Sequence, residues 1–130
     1  IHVVAIINPL PRIINQEIKK YGNQKYIDKI LPEVRKKLGP KFPIIIDSGF
    51  YSGQDMCKGL MLGADFIMTG RPFIIGLAAL GDKGANHVHD ILKDELSNVM
   101  EQICSKNIKE LKSQKVVLED NFTLKKFNLK

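Results

Sequence analysis

Two short segments of the chain have the composition of a phosphate-binding loop, and each follows a run of apolar residues. The first is Ile44–Gly49 and the second is Ala64–Pro72. Each apolar run has the length of a buried strand in a parallel sheet. Because Gly49 and Gly70 carry no side chain, their N–H groups can approach an anion closely, and Arg71 adds a guanidinium fork for phosphate oxygens. The two segments therefore predict a phosphate-binding site made by two strand ends.

The elements that position these loops alternate between strands and helices. Apolar runs predict three strands, over residues 1–7, 43–46 and 66–69. Helical spacing, with proline and glycine at the boundaries, predicts helices over residues 26–38, 54–62, 72–80 and 88–103, and a short helical piece at 108–111. Polar loops follow the strands throughout, which is typical of an α/β protein with a parallel sheet.

Length limits how much of a fold the chain can form. It has 130 residues, whereas a closed barrel of eight strand–helix units takes about 250. In such barrels the loops after the last two strands often hold phosphate. Because three parallel strands leave two open edges, we expect association with a missing part of the fold or with another copy of the chain. The first strand begins without a preceding turn, so the chain is expected to start within the fold.

Charge and composition argue against several other classes of protein. The net charge is +6, but seven lysines lie between residues 106 and 130, where a solvated tail explains them better than a nucleic-acid surface does. We therefore divide the chain into residues 1–111, the barrel part, and 112–130, a polar lysine-rich tail. No apolar run approaches the about 20 residues of a membrane span, and the first residues do not show the basic-then-apolar pattern of a leader, so we expect neither a span nor a leader among these residues.

Cysteine and histidine placement predicts no metal site. Cys57 and Cys104 lie far apart and outside any metal-ligand spacing, which is typical of thiols in a reducing compartment and predicts a cytoplasmic protein. His87 and His89 stand two residues apart on a predicted helix, so they point to different faces.

Five motifs, three of which overlap the two segments described above, occur in an ordered series between residues 43 and 111. They are Ile-Asp-Ser-Gly-Phe (46–50), Gly-Gln-Asp (53–55), Leu-Gly-Ala-Asp (62–65), Gly-Arg-Pro-Phe (70–73) and Leu-Ala-Ala-Leu-Gly-Asp-Lys-Gly (77–84). This series closely resembles the C-terminal part of the FMN-dependent α-hydroxy acid dehydrogenases and oxidases, the family of L-lactate dehydrogenase, glycolate oxidase and mandelate dehydrogenase. The resemblance implies the C-terminal portion of a (β/α)₈ TIM barrel, incomplete as a barrel, with FMN as cofactor.

The resemblance also implies roles for individual residues. The motif Asp47, Ser48 and Gly49 would lie after barrel strand seven, with Asp47 near the ribityl or phosphate region of FMN. Gly70 and Arg71 would lie after strand eight, where Gly49 and Gly70 offer N–H groups and Arg71 pairs with the phosphate. For Asp47 a turn or helix cap is the competing interpretation, and for Arg71 alone a surface salt bridge.

The chain departs from the family pattern at two places. Family members usually have one or two arginines where this chain has Tyr51 and Ser52, which can donate hydrogen bonds but without charge. The family's catalytic histidine corresponds to Pro9, which has no proton acceptor and cannot act as a general base. Arg12 corresponds to the arginine that binds the substrate carboxylate, but the spacing from Arg12 to Leu31 is longer than the family pattern, which favours a solvent-facing loop arginine. We therefore predict no catalytic residue in this chain.

Three hypotheses follow for function. The first is the C-terminal segment of an FMN-dependent oxidoreductase that oxidises L-2-hydroxy acids such as lactate, inactive as this chain alone. The second is a degenerate remnant that binds FMN or phosphate, or only another protein chain, without chemistry. The third is a barrel of the inosine monophosphate dehydrogenase group, which shares the Asp-x-Gly pattern but does not match Arg71-Pro72.

Overall fold

Three short parallel strands form the sheet of this fold. The computed structural model describes residues 5–7, 30–47 and 49–116 of the chain. The strands are β1 (Ala5–Ile7), β2 (Ile44–Asp47) and β3 (Phe66–Met68), and they lie side by side in the order β1-β2-β3. Both pairings are parallel, so the carboxyl ends of the strands lie at one edge of the sheet. The predicted parallel sheet is confirmed.

Helices connect and flank the strands. They are α1 over residues 30–38, α2 (Gly53–Met61), α3 (Arg71–Leu80), α4 (Gly84–Gln102) and α5 (Ile108–Ser113). A single 3₁₀ turn over Gly81–Lys83 joins α3 to α4. Helix α4 begins four residues before the predicted residue 88, and α5 continues past residue 111 to Ser113. The division of the chain after residue 111 stays a prediction, since residues 117–130 lie outside the described part.

The core of the described fold includes the loop that follows β2. Leu31 of α1, Ile44 of β2 and Phe50 of the loop each have less than 2% of their surface exposed. Ile46, Leu62 and Ala64 complete the same cluster. Because the ring of Phe50 is buried among these residues, the loop after β2 is anchored in the core rather than lying loosely on the surface.

Helix α2 starts three residues after Phe50, and its first turn is fixed from two sides. The side chain of Ser52 accepts a hydrogen bond from the Asp55 N–H at 3.1 Å, which is an N-cap. The N–H of Gly53 donates to Oε2 of Glu95 on α4 at 2.7 Å. A Cβ at Gly53 would overlap the backbone of Leu96, so only glycine lets α2 approach α4 this closely. The loop between β2 and α2 is therefore held by the buried ring of Phe50 and by the contacts of the first turn of α2.

The opposite, amino-terminal ends of the strands are held by an ionic cluster. Arg35 donates to the carbonyl oxygens of Gly39, Phe42 and Gly63 at 2.6–2.9 Å. It also pairs with Asp65, which accepts from Lys112 of α5 and from the Ile44 N–H. Partial burial alone would raise the pKa of the Asp65 carboxyl, but the hydrogen bonds from Lys112, Ile44 and Arg35 hold its pKa below the ordinary value of 3.8.

Replacing Asp65 with asparagine is expected to lower the free energy of unfolding at neutral pH by about 1–2 kcal/mol, because two cations lose their counter-charge. Since the folded-state pKa of Asp65 lies below its unfolded value, the carboxylate stabilises the fold fully above that unfolded value. Its contribution is lost as the pH falls through the folded pKa. Urea unfolding of both proteins from neutral pH to below pH 3.8 measures this. A stability difference that stays constant over that range would contradict the assignment.

Candidate functional site

The predicted phosphate-binding segments lie together at the carboxyl edge of the sheet. Asp47, the last residue of β2, pairs in register with Met68, the last residue of β3. The loops that follow the two strands therefore begin side by side. Between them lies a pocket of about 240 Å³. Its walls are Asp47, Gly49, Phe50, Tyr51, Thr69, Gly70, Arg71, Pro72 and Ile74.

A side-chain hydrogen bond ties the two loops to each other. The hydroxyl of Thr69 donates to the carbonyl oxygen of Phe50 at 2.6 Å. Gly49, one residue earlier, has φ +88°, a conformation that residues with a Cβ rarely adopt. The turn at Gly49 and the bond from Thr69 together fix the backbone of the first loop against the second. Thr69 was not predicted as a site residue, and its position directly before Gly70 is the only sequence signal for it.

The second loop leads directly into the N-terminus of helix α3. Gly70 is the N-cap, and no side chain of the described residues caps this end. A Cβ at Gly70 would meet nothing within 4 Å, so its backbone faces open space. Pro72 has no N–H to satisfy, while the N–H groups of Arg71 and Phe73 belong to the first turn, which has no carbonyl partners within the helix. These donors and the helix dipole favour an anion at this position.

Arg71 brings a full positive charge to the same pocket. Its Nη1 donates to the phenol oxygen of Tyr51 at 2.7 Å, and its guanidinium carbon lies 5.9 Å from the centre of the Tyr51 ring. The contact joins the two loops across the mouth of the pocket. Both side chains are exposed, so both can meet a ligand that enters from solvent.

Five of the residues predicted from sequence thus line one pocket: Asp47, Gly49, Tyr51, Gly70 and Arg71. The other two predicted residues, Ser48 and Arg12, lie outside the described residues. Pro9, which the resemblance aligns with the family's general base, is also outside them. The arrangement supplies backbone N–H donors, one guanidinium and one phenol beside a carboxylate, which suits a ligand that carries both phosphate and hydroxyl groups.

A sequence model of the FMN-dependent dehydrogenase family matches residues 27–118. The chain belongs to the FMN-dependent dehydrogenase family. Its cofactor is FMN, as the resemblance implied. This membership leaves the alternative of an inosine monophosphate dehydrogenase barrel without support.

Relatives of the chain include hydroxy acid oxidases. An L-lactate oxidase of Lysinibacillus sphaericus is 34% identical over 127 residues, which cover 94% of this chain and 32% of that protein. Mouse 2-hydroxyacid oxidase 1 is 39% identical over 80 residues, which cover 62% of this chain and 22% of the mouse protein. The chain thus spans about a fifth to a third of the length of these relatives.

Solved structures of the family agree with the fold. A lactate oxidase of Pediococcus acidilactici matches with a TM-score of 0.64 and 38% identity, over 68% of this chain and 24% of that one. A mandelate oxidase mutant that carries an FMN adduct matches with a TM-score of 0.66 and 25% identity, over 70% of this chain and 29% of that one. The predicted fold, an incomplete (β/α)₈ barrel, is confirmed.

None of the helices in the described part of the chain is both long and apolar enough to cross a bilayer.

Proposed function

We propose that this chain is the part of an FMN-dependent oxidoreductase that holds the phosphate of FMN, in an enzyme that oxidises L-2-hydroxy acids to 2-oxo acids. The observation that carries the proposal is the pocket at the carboxyl edge of the sheet, where two glycines, Arg71 and Tyr51 meet the N-terminus of α3. Bound FMN would supply a two-electron acceptor for the hydride that leaves the substrate. The relatives, which are named as oxidases of lactate and other 2-hydroxy acids, support this substrate class.

The residues present fit the phosphate end of FMN. Gly70 leaves open space at the start of α3, where the N–H groups of Arg71 and Phe73 are available to phosphate oxygens. Arg71 supplies the positive charge, and Gly49, whose φ is +88°, lines the same pocket. Asp47 lines the same pocket, where a carboxylate can accept hydrogen bonds from ribityl hydroxyls. The roles of Ser48 beside it and of Arg12 with a substrate carboxylate stay predictions.

Phosphorus NMR tests the binding half of the proposal. The ³¹P resonance of FMN should shift and broaden when the 130-residue chain is added, because the phosphate is the group that enters the pocket. An unchanged ³¹P resonance together with a changed flavin absorption spectrum would place the flavin elsewhere. An unchanged resonance and an unchanged spectrum would refute binding altogether.

We further propose that this chain alone does not turn over substrate. The resemblance implies that Pro9 takes the place of the family's general base, and proline cannot take a proton. Incubation with L-lactate, FMN and an artificial electron acceptor is expected to give no reduction above the rate with FMN alone. Reduction that depends on both the chain and L-lactate would contradict the proposal.

The second candidate is a remnant that binds FMN or phosphate without chemistry. It is favoured by Pro9 and by the pair Tyr51-Ser52, which replaces the family's arginines. The gene distinguishes the two candidates: an open reading frame with five more strand–helix units upstream of Ile1 supports the whole enzyme, whereas a start codon at that point supports the remnant.

A partner for the sheet edge is also part of the proposal. Phe66 and Met68 of edge strand β3 are 62% and 49% exposed, and Ile74 and Ile75 of α3 are 68% and 62% exposed. So much apolar surface favours an interface, and we propose that the remainder of the barrel, or a second copy of the chain, covers it.

We also propose a cytoplasmic location. It is supported by the free thiols Cys57 and Cys104, which are typical of proteins in a reducing compartment.

A further inference from the structure

Tyr51 makes a contact that its place in the sequence does not predict. It lies twenty residues before Arg71, yet its phenol oxygen is 2.7 Å from Nη1 of Arg71. The guanidinium carbon of Arg71 is also 5.9 Å from the centre of the Tyr51 ring, within the range of a cation–π interaction. Two features of one side chain, the ring and the hydroxyl, therefore act on the same guanidinium.

The direction of this hydrogen bond follows from the chemistry of the two groups. A guanidinium has only donors, so Arg71 donates and the phenol oxygen of Tyr51 accepts. The phenol keeps its own O–H, which cannot point back at Arg71. Because both side chains line the pocket between the loops, that O–H is available to an acceptor inside the pocket.

The backbone of Tyr51 is held in place independently of Arg71. Its N–H donates to Oδ2 of Asp55 at 3.2 Å, and Ser52, the next residue, caps helix α2. Phe50, the preceding residue, is buried in the core. The side chain of Tyr51 therefore extends from a fixed segment. It can fix the position of Arg71, which is the first residue of α3 and follows the other loop.

We infer that Tyr51 is a positioning residue that holds Arg71 toward the pocket and donates its own O–H to the same phosphomonoester. The inference rests on the proposed function, since it concerns the same site. In the family pattern an arginine stands at this place. In this chain the neutral hydroxyl of Tyr51 and the guanidinium of Arg71 bind the phosphate together. Recognition should depend on the two residues as a pair rather than on two separate charges.

A double-mutant cycle on the full 130-residue chain tests this. The dissociation constants of FMN and of riboflavin, which lacks the phosphate, are measured for the wild type, Tyr51→Phe, Arg71→Gln and the double variant. Tyr51→Phe keeps the ring and removes only the hydroxyl. It is expected to weaken FMN binding about three- to ten-fold, the low end for hydrogen bonds to charged groups because Tyr51 and Arg71 are exposed to solvent, and to leave riboflavin binding unchanged.

The cycle separates positioning from independent binding. If Tyr51 acts through Arg71, the effect of Tyr51→Phe on FMN should shrink at least two-fold when Arg71 is already glutamine. Equal effects in both backgrounds would overturn the positioning role. Ser113→Ala is the matched control: it removes an exposed hydroxyl that bonds only the Glu110 carbonyl in the described structure, and it should leave both ligands unaffected.

The remaining outcomes distinguish a failure of the role inferred for Tyr51 from a failure of the proposed phosphate site. An unchanged FMN affinity in Tyr51→Phe, or an equal loss for FMN and riboflavin, would overturn the inference while leaving the proposed phosphate site intact. A wild-type chain that binds FMN no better than riboflavin would refute the proposed function, and the inference with it. Far-ultraviolet circular dichroism of each variant confirms that the changes in affinity do not arise from unfolding.

Discussion

Arg71→Gln is expected to weaken FMN binding about ten- to hundred-fold while leaving riboflavin binding unchanged. Arg71 carries the full positive charge that lines the pocket between the loops. Hydrogen bonds to a charged group contribute about 1.5–3 kcal/mol each, and a guanidinium can make two of them to one phosphate. The exposure of Arg71 keeps the effect below what a fully buried pair would give. Titration of both flavins measures it.

A change of net charge alone must be separated from the loss of this contact. Lys106→Gln removes the same charge from an exposed residue that follows α4 and is not part of the pocket wall. It should leave the affinity for FMN within about two-fold of the wild type, since salt screens an exposed charge that does not contact the ligand. Equal losses in the two variants would mean that FMN is attracted by overall charge rather than bound by Arg71.

Phe50→Ala is expected to destabilise the chain by about 3–5 kcal/mol, the usual cost of truncating a buried aromatic residue. Phe50 is 1% exposed and belongs to the cluster that contains Ile44 and Leu62. Its ring also lies against Gly59, where a Cβ would come within 2.8 Å of it. Since whole domains are stable by only about 5–15 kcal/mol, this one change removes a large share of the stability.

The same substitution should abolish FMN binding, because the ring of Phe50 anchors one of the two loops that form the pocket. The carbonyl oxygen of Phe50 accepts the hydrogen bond from Thr69 that ties this loop to the other one. Urea unfolding followed by circular dichroism gives the stability, and flavin titration gives the binding. Phe50→Leu is the control: it keeps most of the apolar volume and should cost less than about 1.5 kcal/mol. If Phe50→Ala is as stable as Phe50→Leu, the loop is not anchored as the structure indicates.

Local sequence signals account for most of the elements that form the site. Three consecutive isoleucines predicted β2, and Pro72 with Gly81 predicted the two ends of α3, in each case to within one residue of the structure. These signals act within a few residues of the position that they specify. The glycines and Arg71 were predicted for the same reason, since they directly follow their strands.

Contacts between distant segments could not be predicted in this way. Tyr51 meets Arg71 twenty residues away, and Arg35 meets Asp65 thirty residues away. Helical spacing also places Ile91 and Leu92 in one apolar stripe of the helix predicted over residues 88–103, yet Ile91 is 42% exposed while Leu92 is 6% exposed. Spacing identifies which residues share a face, but what covers that face depends on the packing of other elements.

Free phosphate should compete with FMN if the pocket at the carboxyl edge of the sheet binds the phosphate of FMN, and a fluorescence titration measures this competition. FMN fluorescence is followed as the 130-residue chain is added, first alone and then with increasing inorganic phosphate. Saturable quenching that free phosphate relieves is expected. Quenching that phosphate leaves unchanged, or no quenching at all, would show that the pocket does not bind the phosphate of FMN.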